Sequence, residues 1–285
     1  MEAYYVDVAT ASYRDALNRS LQNLRTQEGL PIEVYELDNG TNYLVRCVYA
    51  NLKKKEQDYL LVRIYNYYFA SALAEIILQT WEEAYVKKVL LKEYKMAKKD
   101  VEKLLDQFWF RLNSKGDTYL PETRKHLLVK AILEFLDSHN RLNIEGFLNF
   151  RANLYKCELK KQIAQAVNDF LLDQEHEEFI CLLRKFLLSQ RTKYDILHLV
   201  IYKNGEVVFY DDSGRNLNKD CLDDEWTQLE MPEDFLIGSI LKCAPHSLVI
   251  HRQADFYTGT VKIMGEVFED RVSYCQGCHL CSLTN

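Results

Sequence analysis

The sequence predicts an α+β fold: a long helical middle region flanked at each end by a small αβ unit with an Asn-Gly hairpin. Three observations carry that expectation. Helix breakers are scarce, with 10 glycines and 4 prolines in 285 residues, which favours long helices and few structureless loops. Strand-like runs occupy Ala3–Tyr49 and return at Ile196, whereas apolar steps of three and four residues fill the stretch between. Asn39-Gly40 and Asn204-Gly205 each lie between β-rich runs, the strongest short-range hairpin signal. The expected divisions are 1–54, 55–190 and 191–285.

Taken in order, Ala3–Val8 reads as a strand, and Tyr13–Leu24 as an amphipathic helix with Ala16, Leu17, Leu21 and Leu24 on its apolar side. Pro31–Leu37 and Tyr43–Tyr49 read as strands joined by Asp38-Asn39-Gly40. A periodic helical stretch runs from Glu56 to Leu112, with a break near Met96–Asp100 and punctuation at Gly116-Asp117. Pro121 opens the next helix, where its missing N–H costs nothing. Ser138–Arg141 is a polar break, and Asn143 caps a helix from Ile144 that carries Phe147, Phe150, Leu154, Ile163, Val167 and Phe170. Glu175–Ser189 adds another, with Phe179, Leu182, Leu183 and Phe186 facing inward. Long helices with short links pack as a bundle.

The carboxy-terminal segment reads β-β-α-β-α-β. Ile196–Tyr202 and Val207–Tyr210 form the second hairpin, and the acidic loop Asp211–Glu230 follows. Helix Pro232–Lys242, strand Ser247–His251, helix Thr258–Glu269 and strand Arg271–Tyr274 complete it. Strands joined through a helix are parallel neighbours.

Lys plus Arg is 36 and Asp plus Glu is 42, a formal net charge of −6. That sign argues against a chain whose main task is binding nucleic acid nonspecifically. The most apolar stretch, Tyr65–Leu78, contains Asn66, Ser71 and Glu75, and a membrane span needs about 20 mostly apolar residues. No signal peptide is visible in Met1–Tyr13, so the expected location is cytoplasmic. Eight cysteines in such a chain do not read as a disulfide framework. Cys47, Cys157 and Cys181 read as small core residues, and the 19 tyrosines, Tyr65, Tyr67 and Tyr68 among them, chiefly as core contact area.

The run Arg141-Leu-Asn-Ile-Glu-Gly-Phe-Leu-Asn-Phe-Arg151, then Val167-Asn-Asp-Phe-Leu171 and Glu178–Phe186, resembles the YtxC-like sporulation proteins of endospore-forming Firmicutes. The likeness continues through His198–Tyr210, Cys243-Ala-Pro245, Leu248-Val-Ile-His251 and Phe268-Glu-Asp-Arg271 to Cys275-Gln-Gly-Cys278. The ordered set carries the resemblance, and before Leu60 only the order of elements matches. It implies a cytoplasmic, sporulation-associated protein and assigns no catalytic residues.

Cys275-x-x-Cys278-x-x-Cys281 is the most specific chemical feature. Thiolates two residues apart on a turn can point at one ion, and Gly277 permits the tight backbone. Zinc needs four ligands and a [4Fe–4S] cluster four cysteines, so one ligand is missing. Cys221, Cys243, His246, His251 and His279 are candidates. His251 is preferred: it ends one strand of a parallel pair and Cys275 follows the other, so both arrive at one sheet edge. Zinc is expected ahead of iron–sulfur; a reduced tail without cofactor, or a redox-labile dithiol, are the alternatives.

Two weaker features complete the reading. Lys88, Lys92, Lys95, Lys99 and Lys103 would form one basic stripe on an unbroken helix, most simply a solvated face. Asp211, Asp212, Asp220, Asp223, Asp224 and Glu225 could hold Mg²⁺ for nuclease chemistry, although exposed turns are rich in Asp anyway. Glycine-rich nucleotide loops and nucleophile elbows are absent from the sequence. The expected function is therefore interaction or regulation with a protein partner. The alternative is an enzyme, either a metal-dependent nuclease or a redox protein.

Overall fold

The structure, a computed structural model of the chain, describes residues 3–37, 43–53, 59–112, 121–222 and 232–282. The fold is α+β with a long helical middle, as the sequence predicts. It comprises two compact units, Met1–Phe170 and Leu171–Asn285.

The first unit opens with strand β1 (Ala3–Thr10), helix α1 (Arg14–Thr26) and strands β2 (Ile32–Leu37) and β3 (Tyr43–Lys53). Helix α1 buries Leu17, Leu21 and Leu24, each contributing about 2 kcal/mol by its removal from water. Strand β3 lies between β2 and β1 and is antiparallel to both. Asp7 and Arg46 stand opposite each other in that register, and the guanidinium donates to both carboxylate oxygens at 2.8 and 2.9 Å. A one-residue slip would separate them. The Asp38-Asn39-Gly40 turn and Gly116-Asp117 lie outside the described residues.

The Glu56–Leu112 stretch is divided more than its periodicity suggests. Helix α2 (Tyr59–Ile76) runs into a π-helical turn, Ile77–Trp81, then α3 (Glu82–Lys92). The chain breaks at 93–97, where Lys95 takes a φ of 54°, and α4 (Lys98–Leu112) begins. This break, slightly earlier than expected, parts Lys88 and Lys92 from Lys99 and Lys103, so no single lysine stripe exists. Lys88 instead joins Lys156 and Lys160 around an open pocket of about 500 Å³ beside Trp81 and Tyr85. Helix α5 (Pro121–Leu136) carries Arg124, which meets Glu82 at 2.6 Å; the Tyr155 hydroxyl donates to the other Glu82 oxygen at 2.5 Å. Burial pushes the Glu82 carboxyl pKa up, and Arg124 and Tyr155 oppose it.

Strand β4 (Arg141–Asn143) then adds in parallel to the free side of β1. The sequence reads this segment as a polar break, because three residues are too few to show alternation. The predicted cap is present: the Asn143 side chain accepts the Gly146 N–H at 2.6 Å and opens α6 (Ile144–Phe150), a contact worth about 1 kcal/mol. The chain turns at Arg151, and α7 (Asn153–Ser189) follows as one helix where two are expected. Phe179, Leu182 and Phe186 are exposed, contrary to expectation, and so are Phe150 and Leu154. The buried residues of α7 include Tyr155, Leu159, Ile163, Val167 and Phe170 in the first unit and Ile180, Leu183 and Leu187 in the second. Two apolar stripes of equal spacing run side by side there, and spacing does not say which one faces a core. Cys157 and Cys181 are likewise exposed, not core; Cys47 is buried, and its thiol pKa is pushed up to about 12, chiefly by burial.

The second unit follows the expected β-β-α-β-α-β order with one short helix added. Its elements are β5 (Tyr194–Ile201), β6 (Val207–Asp211), α8 (Asn218–Cys221), α9 (Glu233–Lys242), β7 (Pro245–Arg252), α10 (Thr258–Phe268) and β8 (Val272–Tyr274). The sheet order is β6-β5-β7-β8, with β5, β7 and β8 parallel. In the hairpin only Gly205 takes a positive φ, 84°; its N–H bonds the Tyr202 carbonyl at 3.0 Å. The turn thus uses glycine as a bulge and leaves Asn204 in an ordinary conformation. One sheet face buries Leu197, Leu199, Leu248 and Ile250 with Leu236, Ile240 and Met264 of the helices. The other carries Val200, Tyr202 and Val208, covered by Leu280.

Candidate metal centre

His251 is the seventh of eight residues in β7, and Cys275 directly follows β8. The parallel pairing of these strands brings the two residues to one edge. A hydrogen bond from the Cys275 N–H to the Ile250 carbonyl, 2.9 Å, fixes the backbone beside the histidine. The chain then reverses through Gly277, whose φ of 125° suits glycine alone, and the Gly277 N–H points at the Cys275 sulfur at 3.3 Å. A 3₁₀ turn, His279–Ser282, returns Cys281 toward Cys278.

Four side chains converge as a result. One ligand atom from each of His251, Cys275, Cys278 and Cys281 lies within 4.8 Å of every other. The Cys281 sulfur is 3.9 Å from both the Cys275 and Cys278 sulfurs. His251 Nδ1 is 3.4 Å from Cys281 Sγ and 3.5 Å from Cys278 Sγ. For metal–sulfur bonds of about 2.3 Å and metal–nitrogen bonds of about 2.0 Å, the tetrahedral sulfur–sulfur and sulfur–nitrogen edges are about 3.8 and about 3.5 Å. These four edges agree within a few tenths of an ångström, and the other two are within 4.8 Å. The group can hold a metal ion.

Electrostatics suit that use. Burial, and then the neighbouring His198 and His279, lower the His251 pKa to about 4, so the imidazole is neutral at pH 7, as a ligand must be. Burial raises the Cys278 thiol, but the Cys281 N–H, the Cys275 thiol and the Leu280 N–H outweigh it and hold the pKa below its usual value. Cys281 is pushed up to about 11, first by burial. A bound cation would favour the thiolate at every position.

The tail is also anchored from outside the cluster. Leu280 is buried against Val200, Tyr202 and Val208, and Gln253 Nε2 donates to the Cys281 carbonyl. Beneath the cluster, His198 Nδ1 of β5 lies 2.9 Å from His251 Nε2. The sequence reading missed His198; its signal was a single imidazole inside the apolar strand Ile196–Ile201.

The other candidates lie elsewhere. Cys221 and Cys243 are disulfide-bonded to each other. His246, at the other end of β7, and His279 are exposed. Asp211 is taken up by its own turn, accepting from the Ser213 N–H and hydroxyl and the Arg215 N–H, and Asp220 is 3.5 Å from Arg215. Asp223, Asp224 and Glu225 lie outside the described residues. Among the described residues, no carboxylate cluster suited to a metal accompanies the His/Cys group.

Compared with known proteins, residues 67–273 match the model of the YtxC-like family. That stretch includes His198 and His251 and stops before Cys275. No curated protein and no solved structure matches the chain.

Proposed function

The chain belongs to the YtxC-like family, and on that premise we propose that it is a cytoplasmic sporulation protein acting through a protein partner, not by catalysis. One zinc ion, held by Cys275, Cys278, Cys281 and His251, closes its second unit. The observation that carries the zinc reading is the set of tetrahedral edges, which suits a single ion with three sulfur ligands and one nitrogen ligand. A four-iron cube would call for four cysteines. With all four side chains engaged no coordination position stays open, which favours a structural role. No helix among the described residues is long and apolar enough to cross a membrane. A reducing cytoplasm would open the Cys221–Cys243 bond and leave the four ligands untouched.

Purified protein should carry one zinc per chain by elemental analysis. His251→Ala should lower that content, whereas His246→Ala should leave it unchanged; equal metal in the two variants sinks the assignment of His251. Iron with acid-labile sulfide and a brown colour would move the site to the iron–sulfur reading. Deleting the gene in a spore-forming host should reduce spore yield at unchanged vegetative growth. Normal yield would remove the sporulation role.

A further inference from the structure

We propose that His198 is the positioning residue of this metal centre. It accepts a hydrogen bond from His251 Nε2, and so fixes both the tautomer and the ring orientation that aim His251 Nδ1 at the ion. The inference rests on the zinc reading above.

The argument begins with the two nitrogens of one ring. His251 Nδ1 faces the sulfurs of Cys281 and Cys278 at 3.4 and 3.5 Å, so it is the nitrogen that can share an ion with them. A nitrogen that binds a metal carries no hydrogen, and a neutral imidazole carries one in all. The hydrogen of His251 must then sit on Nε2, in a side chain only 2% exposed. Among the described residues, its recorded partner is His198 Nδ1 at 2.9 Å. For that bond to form, His198 Nδ1 must be bare, which places the hydrogen of His198 on its own Nε2. One hydrogen bond thus sets the tautomer of two rings.

The sheet supplies the geometry. Strands β5 and β7 are parallel, with Val200 opposite His251 and His198 opposite Val249. His198 therefore stands on the same face as His251, one diagonal step back. The rings are tilted by 47° with centroids 5.1 Å apart, an edge-on approach that permits the nitrogen-to-nitrogen bond and excludes stacking. Metal-binding histidines generally lean on such an outer partner, and losing it typically weakens metal affinity 10–100-fold. In most sites the partner is a carboxylate or carbonyl; here it is a second imidazole, which can accept only as one of its two tautomers.

The test uses the full chain, with zinc affinity read by competition against a chelator of known strength. His198→Leu keeps much of the volume and removes the acceptor; it should weaken zinc binding about 10–100-fold. His198→Asn places an amide oxygen where Nδ1 stood and should restore affinity to within a few-fold of the parent. Wild-type affinity in the leucine variant, or equal weakening in both variants, overturns the proposal. A second readout needs no variant: the nitrogen-15 spectrum of the zinc-loaded parent should show His251 protonated at Nε2 and bound through Nδ1. The opposite tautomer overturns the proposal even where the leucine variant fails to fold. His251→Ala separates the two layers of inference. Undiminished affinity there means the zinc reading has failed. Lost affinity there, with His198→Leu binding normally, means only the role of His198 has failed.

Discussion

Glu82→Ala should destabilise the protein by about 3–5 kcal/mol, the usual cost of breaking a buried ion pair from one side. The side chains of Arg124 and Glu82 are only 5% and 3% exposed. Removing the carboxylate takes away the acceptor that the buried guanidinium meets at 2.6 Å and the one the Tyr155 hydroxyl meets at 2.5 Å. Urea unfolding analysed by linear extrapolation would measure the loss. The double variant Glu82→Leu with Arg124→Met should recover most of it, because apolar replacement of both charges removes the desolvation penalty along with the attraction. A single variant as stable as the parent would mean that Arg124 is satisfied without Glu82.

On the zinc reading proposed above, chelation should raise the number of thiols that react quickly with Ellman's reagent from two to five. Cys157 and Cys181 are exposed in either state, Cys47 is buried, and Cys275, Cys278 and Cys281 are partly accessible. Bound thiolates are protected by the ion, so the three tail cysteines should respond only after it leaves. Structural zinc in small peptides contributes about 10–16 kcal/mol to folding. The second unit has an apolar core of its own, so the loss here should be local: the tail lifts, and Val200, Tyr202 and Val208 lose the cover of Leu280. Binding of a fluorescent hydrophobic dye should rise in step with the thiol count. An unchanged count after chelation would show that no metal protects the tail.

Much of this was legible before any coordinates. The strand-to-helix alternation after Ile196 was readable because each element is long enough to show its period, and the short helical crossover then suggested β7 beside β8 in parallel, as they are. That adjacency was enough to put His251 and Cys275 at one edge. Strand β4 was not legible, since its pairing with β1 is a long-range event and three residues carry no period. Apart from Leu183, which faces inward as expected, the inward face at the end of α7 was misread for a different reason: Phe179/Leu182/Phe186 and Ile180/Leu183/Leu187 have the same spacing, and only tertiary packing distinguishes them. His198 was passed over because a lone histidine in an apolar strand shows its face by alternation but not its neighbour. The hairpin at Asn204-Gly205 was placed correctly, although the positive φ falls on one residue rather than two.

The π-helical turn before Glu82 ties the length of the chain to its electrostatics. Its bond runs from the Glu82 N–H back to the Ile77 carbonyl, five residues rather than four, so the helix there holds one residue more than α-helical geometry allows. Each residue in a helix advances the facing direction by about 100°. Drawn into a regular α-helix, the same residues would turn Glu82 about 100° past Arg124; the widened turn absorbs that step. It keeps the carboxylate aimed but spoils the hydrogen-bond ladder. The irregular turn therefore acts like the sliding half of a vernier scale: it takes up one residue and returns the carboxylate to its setting. Deleting one residue, Leu78 for instance, should therefore heal the ladder and leave Glu82 facing Arg124, whereas inserting one would need a further widened turn to do so.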